Sequence, residues 1–324
     1  MKHSLKPILF IFSIILLTSF LNERPQKKKK PEPYVFAYYT GDGATGLHLA
    51  WSENGLSWAP LKGGKSFVRP GVGEYIMRDP HLSQSPDGIY HLVWATGLHR
   101  KDIGYAWSKN LEDWSVQRLI PVMEKDSLVL NTWAPELIYD ADQRRFMLFW
   151  ASTVPGKFRE TDKQNDSLAG GYRYNHRIYR KLSQDLREWG PTELFFEPGF
   201  SVTDPHIVED SGQVMLFYKD ATQIGKNIQN NIKMGKGPGI TGSFSTNPVL
   251  VSRRTWAEAP MTARIDTHFV VYFNKYRNKK MGAVQTRDFK KWKDISDTIT
   301  FPKGALHGSI IRIPEKMLDK LKEL

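Results

Sequence analysis

The chain has 324 residues, 40% hydrophobic and 25% charged, which excludes a disordered protein and suits one large β domain or two ordinary ones. It has no cysteine, which excludes disulfides, thiolate metal sites, a cysteine nucleophile and a lipidated cysteine. The formal charge of +12 does not indicate nucleic-acid binding, because part of it is the run Lys27–Lys30 and the remaining basic residues form no arginine-rich stripe.

Lys2 and Lys6 precede an apolar run from Ile8 to Leu21, shorter than the roughly 20 residues of a membrane span. We expect an exported chain, periplasmic or extracellular. Residues 1–33 would be a signal peptide followed by a basic tether from Arg24 to Pro33. No small-x-small cleavage site follows the run, so an uncleaved signal anchor is the alternative. No other membrane domain is expected.

From Tyr34 onward a short signature repeats: an alternating strand, a Ser or Thr, then Trp six residues on. It reads Leu47 to Ser52 with Trp58, Ile103 to Ser108 with Trp114, Ile178 to Ser183 with Trp189, and Met281 to Thr286 with Trp292. A degenerate copy, Ile232 to Gly235, ends near Phe244. The period is roughly 50 to 75 residues, in the range of propeller blades carrying loop insertions. Most copies follow a stronger apolar strand bounded by turn residues, such as Ser85-Pro86-Asp87-Gly88 before Ile89 to Trp94.

The first copy has no inner strand before it, and the last is followed by a lone strand, His307 to Ile313. The fold class expected is therefore all-β: a five-bladed β-propeller over residues 34–324, its C-terminal strand closing the N-terminal blade and leaving no open edge at the seam. Pro314 to Leu324 reads as a short terminal helix.

Acidic residues open matching segments: Arg78-Asp79-Pro80, Thr203-Asp204-Pro205 and Ala257-Glu258-Ala259-Pro260, each about ten residues before an apolar strand core. With Glu136 of Trp133-Ala134-Pro135-Glu136 and His307, they are expected to start the five inner strands and face one another across the axis. Proline should hold the residue before it extended. Four acids at one axis repel, so some of their pKa values should rise. Glycoside hydrolysis needs that asymmetry, one protonated carboxyl and one carboxylate.

The order Asp-Pro, Trp-Ala-Pro-acid, Asp-Pro, Glu-x-Pro and His-Gly resembles glycoside hydrolase family 43 over essentially all of Tyr34 to Ile313. The resemblance implies an exported, inverting glycosidase of the α-L-arabinofuranosidase, β-xylosidase or galactofuranosidase kind. Asp79 would be the general base, Glu258 the general acid, and Asp204 the residue that raises the pKa of Glu258 and holds it in place. Arg78, Trp133, Glu136 and His307 complete the expected substrate-binding set, Arg78 touching a hydroxyl or neutralising the acids. No cofactor is implied beyond a structural calcium near His307, and the partners are an oligosaccharide or polysaccharide, met by a monomer. Two departures stand out: Glu136 where Asp is common, and Glu258-Ala259-Pro260 where Glu-Gly-Pro is usual.

His81 and His206 are metal-ligand candidates, with sheet packing the simpler role. Pro155 to Tyr174 is an insertion that either narrows the pocket or is a solvated excursion. Three other readings compete. The fructan hydrolases lack support, because their N-terminal Asn-Asp-Pro-Asn signature is absent. A propeller phosphorylase needs a cationic phosphate site beside the acid, and none is evident. A non-catalytic carbohydrate-binding propeller is the third.

Overall fold

The second strand of each blade is an almost unbroken apolar run, as expected for a strand covered on both faces. Tyr90–Ala95 is buried at every position, and His268–Lys275 at all but its two ends. Around such strands the computed structural model builds a propeller. It describes residues 31–324 apart from 165–167, 170–171, 225 and 253–255. The expected leader and most of the basic tether lie outside the described residues.

Five four-stranded antiparallel sheets form the blades among the described residues. Blade one runs Arg78–Gln84, Tyr90–Ala95, Asp102–Ser108 and Arg118–Pro121. Blade two is Trp133–Asp140, Arg145–Ser152, Arg177–Ser183 and Glu193–Phe196. Blade three is Val202–Asp210, Gln213–Asp220, Asn231–Gly237 and Val249–Leu250. Blade four is Ala257–Ile265, His268–Lys275, Lys280–Thr286 and Lys293–Asp294. Blade five takes its inner strand from the C-terminus, Ala305–Arg312, and continues with Tyr34–Thr40, His48–Ser52 and Ala59–Pro60. Five apolar clusters fill the five interfaces between neighbouring blades.

The repeated signature is a turn between third and fourth strands. In each copy a Ser or Thr hydroxyl accepts the N–H three residues on: Ser52 from Gly55, Ser108 from Leu111, Ser183 from Leu186 and Thr286 from Phe289. Asn54, Asn110, Asp185 and Asp288 each accept two further N–H groups. These side chains satisfy backbone donors that the tight turn leaves outside the ladder. The Trp that follows packs against a blade interface: Trp58 is 5% exposed and its indole donates to the Gly55 carbonyl.

Closure follows the expected seam. Tyr34–Thr40 pairs with Ala305–Arg312 from Tyr34↔Arg312 to Tyr38↔Gly308. Gly308 is required there, because a Cβ would collide with the Ala37 carbonyl oxygen. The helix Glu315–Lys322 then buries Leu318 and Leu321 between blades five and one, each worth about 1.5–3 kcal/mol.

One irregularity positions the site. In the first four blades the ladder between inner and second strand slips at the same place: between Arg78 and His81, Trp133 and Glu136, Thr203 and His206, and Glu258 and Met261. The residue before the proline is not extended, as the sequence suggested, but left-handed: φ is 50° at Asp79, 46° at Ala134, 53° at Asp204 and 59° at Ala259. Proline has no N–H to give the ladder, and the bulge it permits turns the chain inward.

The bulges also sort the inner-strand residues into tiers. Arg78, Trp133, Thr203 and Glu258 form the outermost. Asp79, Ala134, Asp204 and Ala259 form the next. His81, Glu136, His206 and Met261 lie one step further down the strand. Glu136 is thus not equivalent to the other acids, because in blade two it follows the proline instead of preceding it.

Candidate active site

Asp79, Asp204 and Glu258 come from three blades and line one cavity of about 440 Å³, within the usual range of roughly 300–1,000 Å³ for small-molecule sites. Arg78, Trp133 and His307 line it too, joined by Tyr39, Tyr174, Lys219 and Asn274.

The two aspartates make the same backbone contact. Asp79 Oδ2 accepts the Ala134 N–H at 3.3 Å, and Asp204 Oδ2 accepts the Ala259 N–H at 3.0 Å. Each bulged Asp therefore holds the bulged Ala of the next blade, and for Asp204 that Ala adjoins Glu258. Asp204 Oδ1 also accepts the Thr203 hydroxyl at 3.0 Å.

Asp79 Oδ1 lies 3.1 Å from His307 Nδ1. Burial alone would raise the pKa of this carboxyl. The hydrogen bond and charge of His307, the Arg78 charge and the Ala134 N–H outweigh it, and the pKa is lowered. Burial likewise opposes the imidazolium, but the bond and charge of Asp79 push His307 up to about 9. At neutral pH the pair is an ion pair. Arg78 is held over the Tyr39 ring, 5.5 Å from its centroid.

Glu258 sits opposite, 30% exposed, with Oε2 2.9 Å from the Lys219 ammonium. Burial pulls the pKa of Lys219 down, but Glu258, Asp204 and Tyr276 raise it past its ordinary value. Asn274 pairs with Glu258 across the strand and is 5% exposed; its Oδ1 has no protein partner.

The remaining wall is aromatic. Trp133 is fixed by its indole N–H to the Leu98 carbonyl at 2.9 Å and by the Tyr174 ring, 4.6 Å away. Tyr174 stacks in turn on His176 at 5.2 Å. The insertion therefore does contribute to the pocket, through Tyr174 at its end. Its root is pinned by the fully buried Arg177, which donates to Thr161 and Asn175 and ion-pairs with Glu197.

Glu136 is a correction. It does not line this cavity but a second one of about 530 Å³, and it is 3% exposed. Its carboxylate meets His206 Nδ1 at 2.9 Å and His81 Nε2 at 3.6 Å, while His206 Nε2 meets the Thr262 hydroxyl at 2.8 Å. This hydrogen-bonded layer lies one step along the inner strands from the aspartates, and the two cavities share no wall residue.

The ligand atoms of His81, Glu136 and His206 lie within 4.8 Å of one another, close enough to hold a metal ion. Their hydrogen bonds fit a closed polar layer better. His81 Nδ1 accepts the Leu137 N–H, so a neutral His81 carries its proton on Nε2, the nitrogen facing Glu136. Burial lowers His81 to about 4 and keeps it neutral. A calcium beside His307 fits no better. Calcium takes about six to eight oxygen ligands, whereas the carboxylate beside His307, that of Asp79, is already engaged by the imidazole Nδ1 and the Ala134 N–H.

The family model of a probable glycosyl hydrolase domain related to family 43 matches residues 30–319. The chain belongs to this glycosyl hydrolase family. Solved family-43 structures share its fold. An α-L-arabinofuranosidase from Lactobacillus brevis matches with 15% identity over 68% of this chain and 72% of its own, at a TM-score of 0.52. A thermostable family-43 glycoside hydrolase matches with 17% identity over 70% and 75%, at 0.54. A family-43 β-1,3-galactosidase bound to galactodeoxynojirimycin matches with 11% identity over 70% and 80%, at 0.50. No curated protein sequence matches the chain.

Within the family fold, Tyr39, Lys219 and Asn274 are among the wall residues that sequence reasoning missed. Lys219 and Asn274 each stand one residue before the end of a second strand, at the register where blades one and two carry Ala95 and Ala151. A polar residue closing an otherwise apolar strand was the available signal. Among the described residues no helix is long and apolar enough to cross a membrane.

Proposed function

We propose that the protein is an exported glycosidase that hydrolyses an α-L-arabinofuranosyl, β-xylosyl or galactofuranosyl linkage of a plant-type glycan with inversion. The observation that carries this reading is the convergence of Asp79, Asp204 and Glu258, from three blades, on one cavity walled by Trp133 and Tyr174.

Asp79, kept ionised by His307 and Arg78, takes a proton from a water whose oxygen attacks the anomeric carbon. The glycosidic C–O bond breaks with its electron pair going to the leaving oxygen, which takes a proton from Glu258. Asp204 holds the Ala259 N–H and so fixes the strand carrying that acid. Trp133 and Tyr174 offer apolar faces to a sugar ring, and the mixed polar wall opposite suits its hydroxyls. The chemistry needs no metal or cofactor, and one propeller, acting as a monomer, holds every group named. Export rests on the charged, apolar leader from Lys2 to Leu21.

The test is a panel of aryl glycosides and plant polysaccharides, with NMR of the first product anomer. Release of the inverted anomer is expected, and Glu258→Ala should abolish turnover of unactivated substrates while sparing oligosaccharide binding. First release of the retained anomer would overturn inversion. Binding with no turnover across the panel would leave a carbohydrate-binding propeller. Lys219 is a cation beside the acid, the feature a phosphorylase requires, so the panel is run with and without inorganic phosphate. Release of a sugar 1-phosphate would replace water by phosphate as the nucleophile.

A further inference from the structure

At the register opposite the outermost inner-strand residue, the second strands carry Ala95 opposite Arg78, Ala151 opposite Trp133 and Asn274 opposite Glu258, but Lys219 opposite Thr203. An alanine is enough to complete the blade at this position. Lysine there places a cation, only 12% exposed, within 2.9 Å of Glu258 Oε2. The ammonium also lies 4.5 Å from the centroid of the Tyr276 ring, which limits where it can go. Burial works against the charge on Lys219, yet the surrounding carboxylates keep it protonated.

An ammonium has three donors and no acceptor. While it is bound to Oε2, that oxygen cannot carry a proton directed at it. A proton on Glu258 is then favoured on Oε1, the oxygen that Lys219 does not engage, because a protonated Oε2 is a weaker acceptor for the ammonium. Asp204 secures the backbone next to Glu258 through Ala259, and Lys219 secures the end of its side chain. Backbone and carboxylate are thus both held from blade three, by its inner and its second strand, and Lys219 leaves Oε1 unengaged.

We propose that Lys219 is a positioning residue for the acid: its ammonium engages Oε2 of Glu258, directs the transferable proton to Oε1, and holds the empty site in the ion-paired state. Charging the acid therefore works against Lys219, and substrate binding has to compensate. The inference rests on Glu258 being the acid, but the ion pair can be tested without a substrate.

Protein labelled with carboxyl-¹³C glutamate is titrated by NMR, with the Glu258 signal assigned by its loss in Glu258→Gln. In Lys219→Met the Glu258 midpoint should rise by about one unit, the lower end of the effect of a neighbouring opposite charge. Lys219→Arg should restore most of the wild-type value. An unchanged midpoint in Lys219→Met overturns the proposal. If Lys219→Met does not fold, the ¹⁵Nζ signal of Lys219 is compared in wild type and Glu258→Gln. It should move and exchange its protons faster in the variant, and an unaltered signal overturns the proposal.

In catalysis, Lys219→Met should shift the basic limb of kcat/KM to higher pH for phenyl glycosides. The loss of kcat should be larger for phenyl than for dinitrophenyl glycosides, since the dinitrophenyl leaving group needs no proton. An NMR shift in a protein that turns over no glycoside would sink the enzymatic reading and leave the ion pair standing. Turnover without the NMR shift would do the reverse.

Discussion

Asp79 and Asp204 each do structural work that a surface turn does not. Their left-handed backbone and their hydrogen bond to the next blade's alanine make them clamps between blades as well as candidate reactive groups. Ala259 shares the left-handed conformation, which costs a residue with a Cβ about 1–2 kcal/mol. The extra carbon of alanine over glycine therefore strains the backbone here. Ala259→Gly should stabilise the protein by up to about 1 kcal/mol, part of the relief being lost to the more flexible unfolded chain. Ala259→Val should destabilise it. Urea midpoints of the two variants check both signs.

His307 and Asp79 also predict a pH dependence of stability. The folded pKa of His307 is raised from 6.5 to about 9, so its contribution is complete below about 6.5 and is lost as pH rises through about 9. Asp79 is depressed, so its contribution holds above its ordinary value of 3.8 and is lost as pH falls towards its folded pKa. The gap in stability between wild type and His307→Gln should be widest near pH 6 and narrow by pH 10, measured by denaturant unfolding. A gap that widens towards pH 10 would reverse the sign.

At the scale of elements, what was legible in the sequence was the strand pattern and the ends of the chain. Alternating strands, their Ser-to-Trp turns and the unpaired segments at both termini were enough for five blades and their closure. The tiers of the inner strands were not legible. Their order depends on where each proline places its bulge, and in blade two the acid stands after the proline. Hence Asp79, Asp204 and Glu258 were picked out together and brought together, while Glu136 was grouped with them and lies elsewhere. Lys219 escaped notice because a lysine at a strand end reads as a solvated terminus.

The insertion gives the prediction for this scale. Arg177 donates to Thr161 at 2.8 Å and to Asn175 at 2.9 Å, and Phe158 lies under its guanidinium at 4.4 Å. Burial depresses its pKa to about 10. Removing one partner of such a buried pair typically costs about 3–5 kcal/mol. Arg177→Met should lower Tm and release the Tyr174 wall, raising KM more than it lowers kcat for the best aryl glycoside. A fall in kcat at constant KM would place the role of this element in the chemistry itself.

For the whole molecule, the C-terminal strand joins the two ends of the chain and brings His307 to Asp79 in the same act. Deleting residues 305–324 would expose the edge of Tyr34–Thr40 and strip Leu318 and Leu321 from their cluster. The truncated chain should be insoluble or expanded by size-exclusion chromatography and show no cooperative melt. A monomeric, cooperatively melting product would show that four and three-quarter blades suffice.

His81, Glu136 and His206 line the second cavity one step down the inner strands from the aspartates, Glu136 hydrogen-bonded to His206 and in contact with His81. On the proposed function, substrate would enter and both products leave by the mouth above the aspartates. The released sugar should therefore act as a competitive inhibitor of aryl-glycoside turnover, and purely noncompetitive inhibition would point to a second way out.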